Sequence, residues 1–411
     1  VSRLLAYTAP SQGELYPLVP ILDELRRRGH EVALRTLASE AEAMRRLGFE
    51  AAPIAPEVEA VAMDDWRART LGGAQRRAVK TVCARAPKDA RDLALAIRET
   101  QPDALIVDLL AWGALSAAEA WGGPWACSCP FPLPLPSVAA PPHGPGLSPA
   151  RTAIGLVRDR LIQRVLSRGF DRLAGARLGD VRAASGLPPL ANASEVFSVA
   201  PLYLYLTAEP FEYPRPDWPE SVVMVGPCPW EPEEALPAEL ETIRDPLVLV
   251  TTSTDPQGDE RLVRMALEAL AEEPLHVVAT MPAIEQDPIE LPPNATILRF
   301  APHSPILSRA ACAITHGGMG VTQKALSLGV PVCAVPFGRD QPEVARRVEV
   351  AGAGARLPSW RLNPRRLRAK VRETIACRPG AERIARAFST AGGPSAAADA
   401  VERRLLGSLS P

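Results

Sequence analysis

One stretch, from Cys312 to Arg347, constrains this chain more than any other. It reads C-A-I-T-H-G-G-M-G-V-T-Q-K-A-L-S-L-G-V-P-V-C-A-V-P-F-G-R-D-Q-P-E-V-A-R-R. The apolar run Cys312 to Thr315 is a short buried strand that breaks at His316-Gly317-Gly318. Met319 or Gly320 opens a helix that closes at Gly329, a second buried strand runs from Val332 to Pro336, and a polar loop ends in Asp340-Gln341. A strand, a glycine turn and a helix start together make an anion site, because unpaired backbone N–H groups and the helix dipole converge there. His316 stands at the mouth of that turn, able to offer a phosphate either a hydrogen bond or a positive charge. Asp340 and Gln341 follow the next strand, where a carboxylate and an amide suit sugar hydroxyls. The pattern therefore describes a diphosphate held at one end and a sugar at the other.

These residues resemble the donor-binding signature of the family 1 glycosyltransferases, roughly H-G-G-x-G-T-x-x-E-A-L-x-x-G-V-P followed by D-Q-P, which survives here as H-G-G-M-G-V-T-Q-K-A-L-S-L-G-V-P and D-Q-P. So long an ordered match is far more specific than a lone glycine motif. The resemblance implies the GT-B fold: α/β, two Rossmann-like doubly wound domains facing a central cleft. It further implies single displacement with inversion, with His316 and the amides of Gly318, Met319 and Gly320 stabilising the leaving diphosphate. Two positions depart from the pattern. The hydroxyl residue that meets a phosphate is Val321 here, and the glutamate that grips the ribose diol is Lys324. A carboxylate for two vicinal hydroxyls has little to do beside 2'-deoxyribose. With only four lysines in the chain, Lys324 is read as favouring a thymidine diphosphate over a uridine diphosphate. The competing reading is a tolerant surface position.

The rest of the chain supports two such halves. Its 411 residues are enough for two or three domains. The expected division is an acceptor-binding domain over 1–215, a linker over 216–240, a donor-binding domain over 241–378, and C-terminal helices over 379–411 that can cross back to the first domain. The strand Leu4 to Thr8, the loop Ala9 to Gly13, a helix from about Leu15 to Arg28 and the strand Glu31 to Thr36 begin a doubly wound sheet, with its ligand crevice at the carboxyl ends of the strands. Leu202 to Thr207 is the last strand of that half. In the second half, Pro246 to Thr251, His276 to Thr280 and Thr296 to Phe300 are strands. The small-residue loop at 252–254 resembles the one that faces the donor phosphates, so Ser253 fits that role. Arg299 to His303, including Pro302, lies where related enzymes hold the base, partly through main-chain groups. The stretch Ala150 to Ala184 is a basic amphipathic helix, read as packed by its apolar face with arginines in water rather than lying on a membrane.

The first loop resembles the family's G-H-x-x-P, but reads Gly13-Glu14-Leu15-Tyr16-Pro17. The missing histidine is the general base in many members, suited by a pKa near working pH. Some glycopeptide and sterol members resemble this chain in carrying an acid there. Glu14 is a weak base near its reference pKa, and burial in an apolar pocket would strengthen it. Three roles stay open for it: base, helix-terminal anion, or hydrogen-bond partner of the acceptor. Asp108, at the end of the strand Ala104 to Val107, either lies beside Glu14, each carboxylate raising the other's pKa, or caps the following helix. The resemblance implies that Trp112, Phe131 and the proline-rich loop to Pro149 carry acceptor contacts together with Gly13, Glu14 and Tyr16. His143 in that loop is read as solvent-exposed, or else as a substitute base. The region Asp64 to Arg85 reads as exposed and arginine-rich, ahead of a helix from about Ala86 to Glu99.

Composition closes off other classes. A net charge of −1 argues against nucleic acid. Seven scattered cysteines, with Cys127 and Cys129 too close for a usual zinc pair, leave neither a metal site nor a disulfide framework. They suit a reducing cytoplasm. No leader is read ahead of Leu4, and no apolar run is long enough for stable membrane insertion. The arginine-rich, lysine-poor usage suggests a G+C-rich bacterial genome. The expectation is a hexosyltransferase that needs no cofactor or metal. It would move a sugar, a deoxysugar by preference, from a dTDP- or UDP-sugar to a hydrophobic natural-product aglycone such as a polyketide. A homodimer is left open. The alternatives are a catalytically degenerate partner protein of the same fold and a nucleotide-sugar epimerase.

Overall fold

The computed structural model describes residues 1–68, 70–254, 257–282 and 291–407. Strands β1 (Arg3–Tyr7), β2 (Glu31–Thr36), β3 (Glu50–Pro53), β4 (Ala104–Asp108), β5 (Trp125–Cys129), β6 (Tyr203–Tyr205) and β7 (Val222–Met224) form one sheet in the order β3-β2-β1-β4-β5-β6-β7. Strands β8 (Leu247–Thr251), β9 (His276–Thr280), β10 (Ala295–Leu298), β11 (Ala310–Thr315), β12 (Val332–Ala334) and β13 (Gly354–Arg356) form a second, ordered β10-β9-β8-β11-β12-β13. Every pairing in both sheets is parallel. Parallel sheets need helices on both faces, and runs such as Leu-Leu-Ala-Tyr or Leu-Val-Leu-Val-Thr are apolar throughout for that reason. Each sheet accordingly separates two buried clusters.

Three expectations are corrected. The segment before Arg85 is not an exposed prelude. Thr70 caps a helix running Leu71–Thr100, its hydroxyl accepting from the Gly73 amide at 3.1 Å. Val79, Val82, Cys83 and Ala86 form its buried stripe, a helical spacing that Gly72, Gly73 and Pro87 obscure in the sequence. Second, β6 is not the last strand of its sheet. Val222–Met224 adds a half-buried edge inside the 216–240 stretch, too short and too proline-flanked to show a period. Third, the helix Ala153–Ala184 buries apolar side chains only in its later part, through Ala174, Leu178 and Val181. Ile154, Val157, Leu161 and Val165 are exposed, at 84%, 52%, 54% and 68%.

The chain's end returns to the first sheet. The helix Arg378–Ala391 packs in the second half through Ala381, Ile384 and Phe388. The helix Gly393–Val401 buries Ala397, Ala398 and Val401 against Leu22 and Leu25 of the Val19–Arg27 helix. Arg28 fastens that junction to Asp399 at 2.6 Å and Glu402 at 2.7 Å. The last expected positions of the 379–411 segment, 408–411, lie outside the described residues.

Candidate active site

Strand order reverses between β1 and β4 in one sheet and between β8 and β11 in the other. At such a reversal neighbouring connections leave in opposite directions and open a crevice at the carboxyl strand ends. The two crevices share one cleft of about 1400 Å³.

On the donor side, Thr251 and Thr315 pair at the ends of β8 and β11. Gly317 then turns the chain with φ of 88°, a left-handed conformation that glycine adopts without a Cβ penalty. Its N–H is taken by the Thr315 hydroxyl at 3.0 Å, and it does not line the cleft. Gly318, Met319, Gly320 and Val321 do. They open the helix Met319–Ser327, whose first N–H groups have no intrahelical partner. His316 beside them is neutral. Burial above all pushes its pKa down to about 4, the positive charge of Arg339 adds to that, and a hydrogen bond with the Thr251 main chain opposes it. Burial thus favours the neutral ring, whose single N–H can serve the Thr251 main chain or a phosphate. Its Nδ1 is 4.0 Å from Asp259 Oδ2, a carboxyl pushed up to about 6 by burial that accepts the Ser253 amide at 2.7 Å. Ser253 lines the cleft, as expected of a phosphate-facing residue.

Asp340 and Gln341 reach the same cleft after β12. Gln341 Oε1 accepts from the Phe337 and Gly338 amides at 2.8 and 3.1 Å, and its Nε2 bonds Gln257. The amide oxygen thus braces its own loop and the nitrogen ties it to the loop after β8, while burial pushes the pKa of the neighbouring Asp340 up to about 6. Of the residues expected at the base, His303 lines the cleft with Phe300 and Ala301. Arg299 is exposed just beyond the end of β10, and Pro302 is buried; neither lines the cleft.

Glu14 sits in the short helix Gln12–Leu15, capped by Ser11, with 8% exposure. The expected helix from Leu15 to Arg28 is split, since Pro17 and Pro20 cannot donate in a continuous helix. Behind Glu14 lies Asp108, 1% exposed at the end of β4. Asp108 does not cap the next helix, which starts at Trp112 with Ala111 before it. It accepts from the Leu110 amide at 2.8 Å and from the Ala9 amide, and hydrogen-bonds the Glu14 carboxyl. Two carboxyl groups can share such a bond only with a proton between them. Burial pushes Asp108 up to about 6, against those three hydrogen bonds.

The wall facing Glu14 is apolar and aromatic. Trp112 stacks edge-on against Phe170 and Phe197 at 5.4 and 5.9 Å. Gly13, Tyr16, Phe131 and His143 also line the cleft. His143 is half-buried rather than in solvent, and burial lowers its pKa against the nearby Glu343 carboxylate. The proline-rich loop carrying it is pinned across the cleft: the Gly144 and Gly146 amides donate to Glu343 Oε1 at 2.9 and 2.8 Å. Gly146 has φ of 61°, and a Cβ there would lie 2.3 Å from the Pro342 carbonyl oxygen. Sequence reasoning missed Val79, Val82, Phe170, Phe197 and Trp230 on this wall. Helical periodicity could have found the first two, and nothing local marks the others.

Residues 264–403 match the family described as "Erythromycin biosynthesis protein CIII-like, C-terminal domain". Over 391 residues the chain is 32% identical to 4'-demethylrebeccamycin synthase of Lentzea aerocolonigenes, covering 91% of this chain and 92% of that one. The chain belongs to the family 1 natural-product glycosyltransferases. Among solved structures, the glycotransferase of kitacinnamycin superposes with a TM-score of 0.76 at 24% identity, covering 98% of this chain and 99% of that one. The glycosyltransferase VinC, in complex with DTDP, does so with 0.68 at 24% identity over 97% and 99%. The fold is therefore GT-B. With glycosyltransferases as its relatives, neither a degenerate partner protein nor an epimerase is favoured.

This glycosyltransferase departs from the family pattern at Lys324, and the structure shows where that lysine goes. It is not a tolerant surface position, being 11% exposed. Its ammonium lies 2.6 Å from Glu231 Oε2 and 3.2 Å from the Trp230 carbonyl. Glu231 also accepts the His303 and Ser304 amides at 2.8 and 2.9 Å. Burial opposes its charge, yet Lys324 and these donors bring its pKa down to about 2. Trp230 in turn stacks on Tyr16 at 4.9 Å, tying the connecting segment to the Glu14 loop. The seven cysteines are free. Among the described residues no group of three His, Cys, Asp or Glu could hold a metal ion, and no helix is long and apolar enough to cross a membrane.

The cradle's contribution is measurable. His316→Ala is expected to weaken nucleoside-diphosphate binding by roughly 1.5–3 kcal/mol and to lower turnover, the worth of a hydrogen bond to a charged group. Calorimetric titration decides it, and unchanged affinity and rate would remove His316 from the site.

Proposed function

We propose that this glycosyltransferase moves a sugar, preferably a deoxysugar, from a thymidine-diphosphate donor to a hydroxyl of an apolar natural-product aglycone, inverting the anomeric carbon by a single displacement. One observation carries the reading. Glu14, with Asp108 behind it, and the amide cradle of Gly318 to Gly320 face a common cleft from opposite sheets. In that arrangement Glu14 takes the acceptor's proton as its oxygen attacks, and Asp108 shares the proton gained. Bond breaking sends charge to the diphosphate oxygen, where His316 and the amides of Gly318, Met319 and Gly320 donate hydrogen bonds. Asp340 orients the sugar. This chemistry asks nothing of a metal or cofactor.

Three features support the finer choices. The helix position where the family pattern has a diol-gripping glutamate presents an ammonium engaged by Glu231, which suits a 2'-deoxyribose. The commitment of Gln341 to its own loop leaves few groups for sugar hydroxyls, which suits a deoxysugar. The acceptor wall of Trp112, Phe170 and Phe197 suits an aromatic or polycyclic surface.

Thymidine diphosphate is expected to bind at least as tightly as uridine diphosphate. Lys324→Glu, which sets two carboxylates against each other, should weaken both. A clear uridine preference unaltered by that substitution would end the nucleotide assignment. Incubation of a TDP-sugar with a promiscuous phenol tests the reaction itself: a product with retained anomeric configuration, or neither transfer nor donor hydrolysis, would overturn it.

A further inference from the structure

Arg339 occupies the loop between β12 and the helix Gln341–Val350 with φ of 53°. A side chain in that left-handed region is disfavoured relative to the ordinary helical region, so an arginine there points to a compensating role. Its guanidinium crosses the cleft. Nε lies 3.0 Å from Asp65 Oδ2 and Nη2 lies 3.0 Å from Oδ1, a two-pronged pair with a carboxylate that is 4% exposed. Asp65 begins the single turn Asp65–Arg67, ahead of the helix that walls the acceptor pocket. The same positive charge acts on His316 and Asp259 in the diphosphate cradle and on Asp340 at the sugar position. One cation therefore stands where both halves of the molecule and both ends of the donor meet.

The cradle has need of it. His316 is neutral, Val321 has no hydroxyl, and Lys324 is engaged by Glu231. Arg85 also lines the cleft, but it directs Nε and Nη2 to the Val61 carbonyl at 2.8 and 2.6 Å. A departing diphosphate gains negative charge, and a guanidinium can bridge a carboxylate and a phosphate at once because its five donors fan out in a plane.

We propose that Arg339 is a ligand of the donor diphosphate in the closed cleft, and that Asp65 is the positioning residue that holds it there. The inference rests on the nucleoside-diphosphate reading of the cleft. It makes leaving-group stabilisation depend on the two halves being together: with Asp65 in place, the donor is activated only while the acceptor wall covers it. The clasp therefore favours transfer to the aglycone over transfer to water.

The test uses thymidine diphosphate for binding, and a TDP-sugar with a phenolic acceptor for turnover. Arg339→Gly suits the backbone but leaves the buried Asp65 without its cation, so it is expected to fold with a lowered melting temperature and to bind TDP about tenfold or more weakly, the loss of a charge-assisted contact. Arg339→Gln keeps the stem without the charge and should show the same loss if the glycine variant unfolds. Asp65→Asn is expected to weaken TDP binding in the same direction but less than the Arg339 variants, and to lower the ratio of transfer to donor hydrolysis by about tenfold. A merely structural Asp65 would lower both rates together and leave the ratio alone. TDP affinity unchanged in the folded Arg339 variants, or an unchanged ratio in Asp65→Asn, overturns the proposal. A wild-type protein that binds neither TDP nor UDP overturns the donor reading itself, and this inference with it.

Discussion

Glu14→Gln is expected to lower turnover by about 10²–10⁴-fold with donor affinity intact, because it removes proton acceptance while keeping size and most hydrogen bonding. Its two prerequisites hold: Glu14 faces the cleft at 8% exposure, and Asp108 behind it shares a hydrogen bond. The pH dependence follows. Burial raises the pKa of the Asp108 carboxyl, and the pair must lose its shared proton before it can accept another. The rate should thus fall as the pH is lowered into the range where the pair holds that proton, and that acid limb should vanish in Glu14→Gln. Stability moves the other way. A carboxyl whose folded pKa is raised contributes stability below its unfolded value and loses it as pH rises through about 6. Asp108→Asn should therefore melt higher than wild type at pH 8 while turning over more slowly. If Glu14 were only a helix-terminal anion, its change to glutamine would cost about 1 kcal/mol or less and leave the rate nearly alone. A Glu14→Gln enzyme within about threefold of wild type would refute the base assignment, and proton removal would pass to Asp108, to His143, or to an acceptor acidic enough to need no base.

The largest stability effect belongs to Arg347, a fully buried guanidinium in the helix Gln341–Val350. Its Nε and Nη2 meet Glu212 at 3.0 and 2.9 Å, its Nη1 meets Glu343 at 2.9 Å, and it lies over the Tyr213 ring at 4.6 Å. Arg347→Met should cost about 3–5 kcal/mol, since both carboxylates would be left buried without their partner. Glu343 also holds the Gly144 and Gly146 amides, so the acceptor KM should rise as the proline-rich loop loosens. The acid range sharpens the test. Burial opposes the charge of Glu212, but Arg347 and Arg215 outweigh it and bring the pKa down to about 2. A depressed carboxylate contributes stability that is present above its unfolded pKa and lost as pH falls through about 2. Wild type should resist unfolding well into that range, whereas Arg347→Met should begin to unfold near the ordinary carboxylate range. Denaturation at pH 7 and pH 3 measures both effects. A variant within about 1 kcal/mol of wild type at both would show that the network is dispensable.

What the sequence determined by itself is what local rules can carry. The His316 turn, the helix after it and the strands on either side of it follow from glycine placement and apolar runs of strand length, and each was legible. Asp108 stood between two readings, neighbour of Glu14 or helix cap, and the pairing of β1 with β4 brought it beside Glu14. The amphipathic Ala153–Ala184 helix was legible as a helix but not in its exposure. Periodicity shows that a face is apolar, and only the surrounding elements decide whether anything covers it. Lys324 looked like a change in one helix until folding brought Glu231 to it from 93 positions away. His316 could be read as charged or neutral, and its burial decided for neutral. Arg339 and Asp65, 274 residues apart, carry no mark that pairs them. Local structure depends on interactions within a few residues, which a sequence displays. Charge partners, pKa values and the sharing of one cleft depend on distances and burial that exist only once two separately wound sheets face each other.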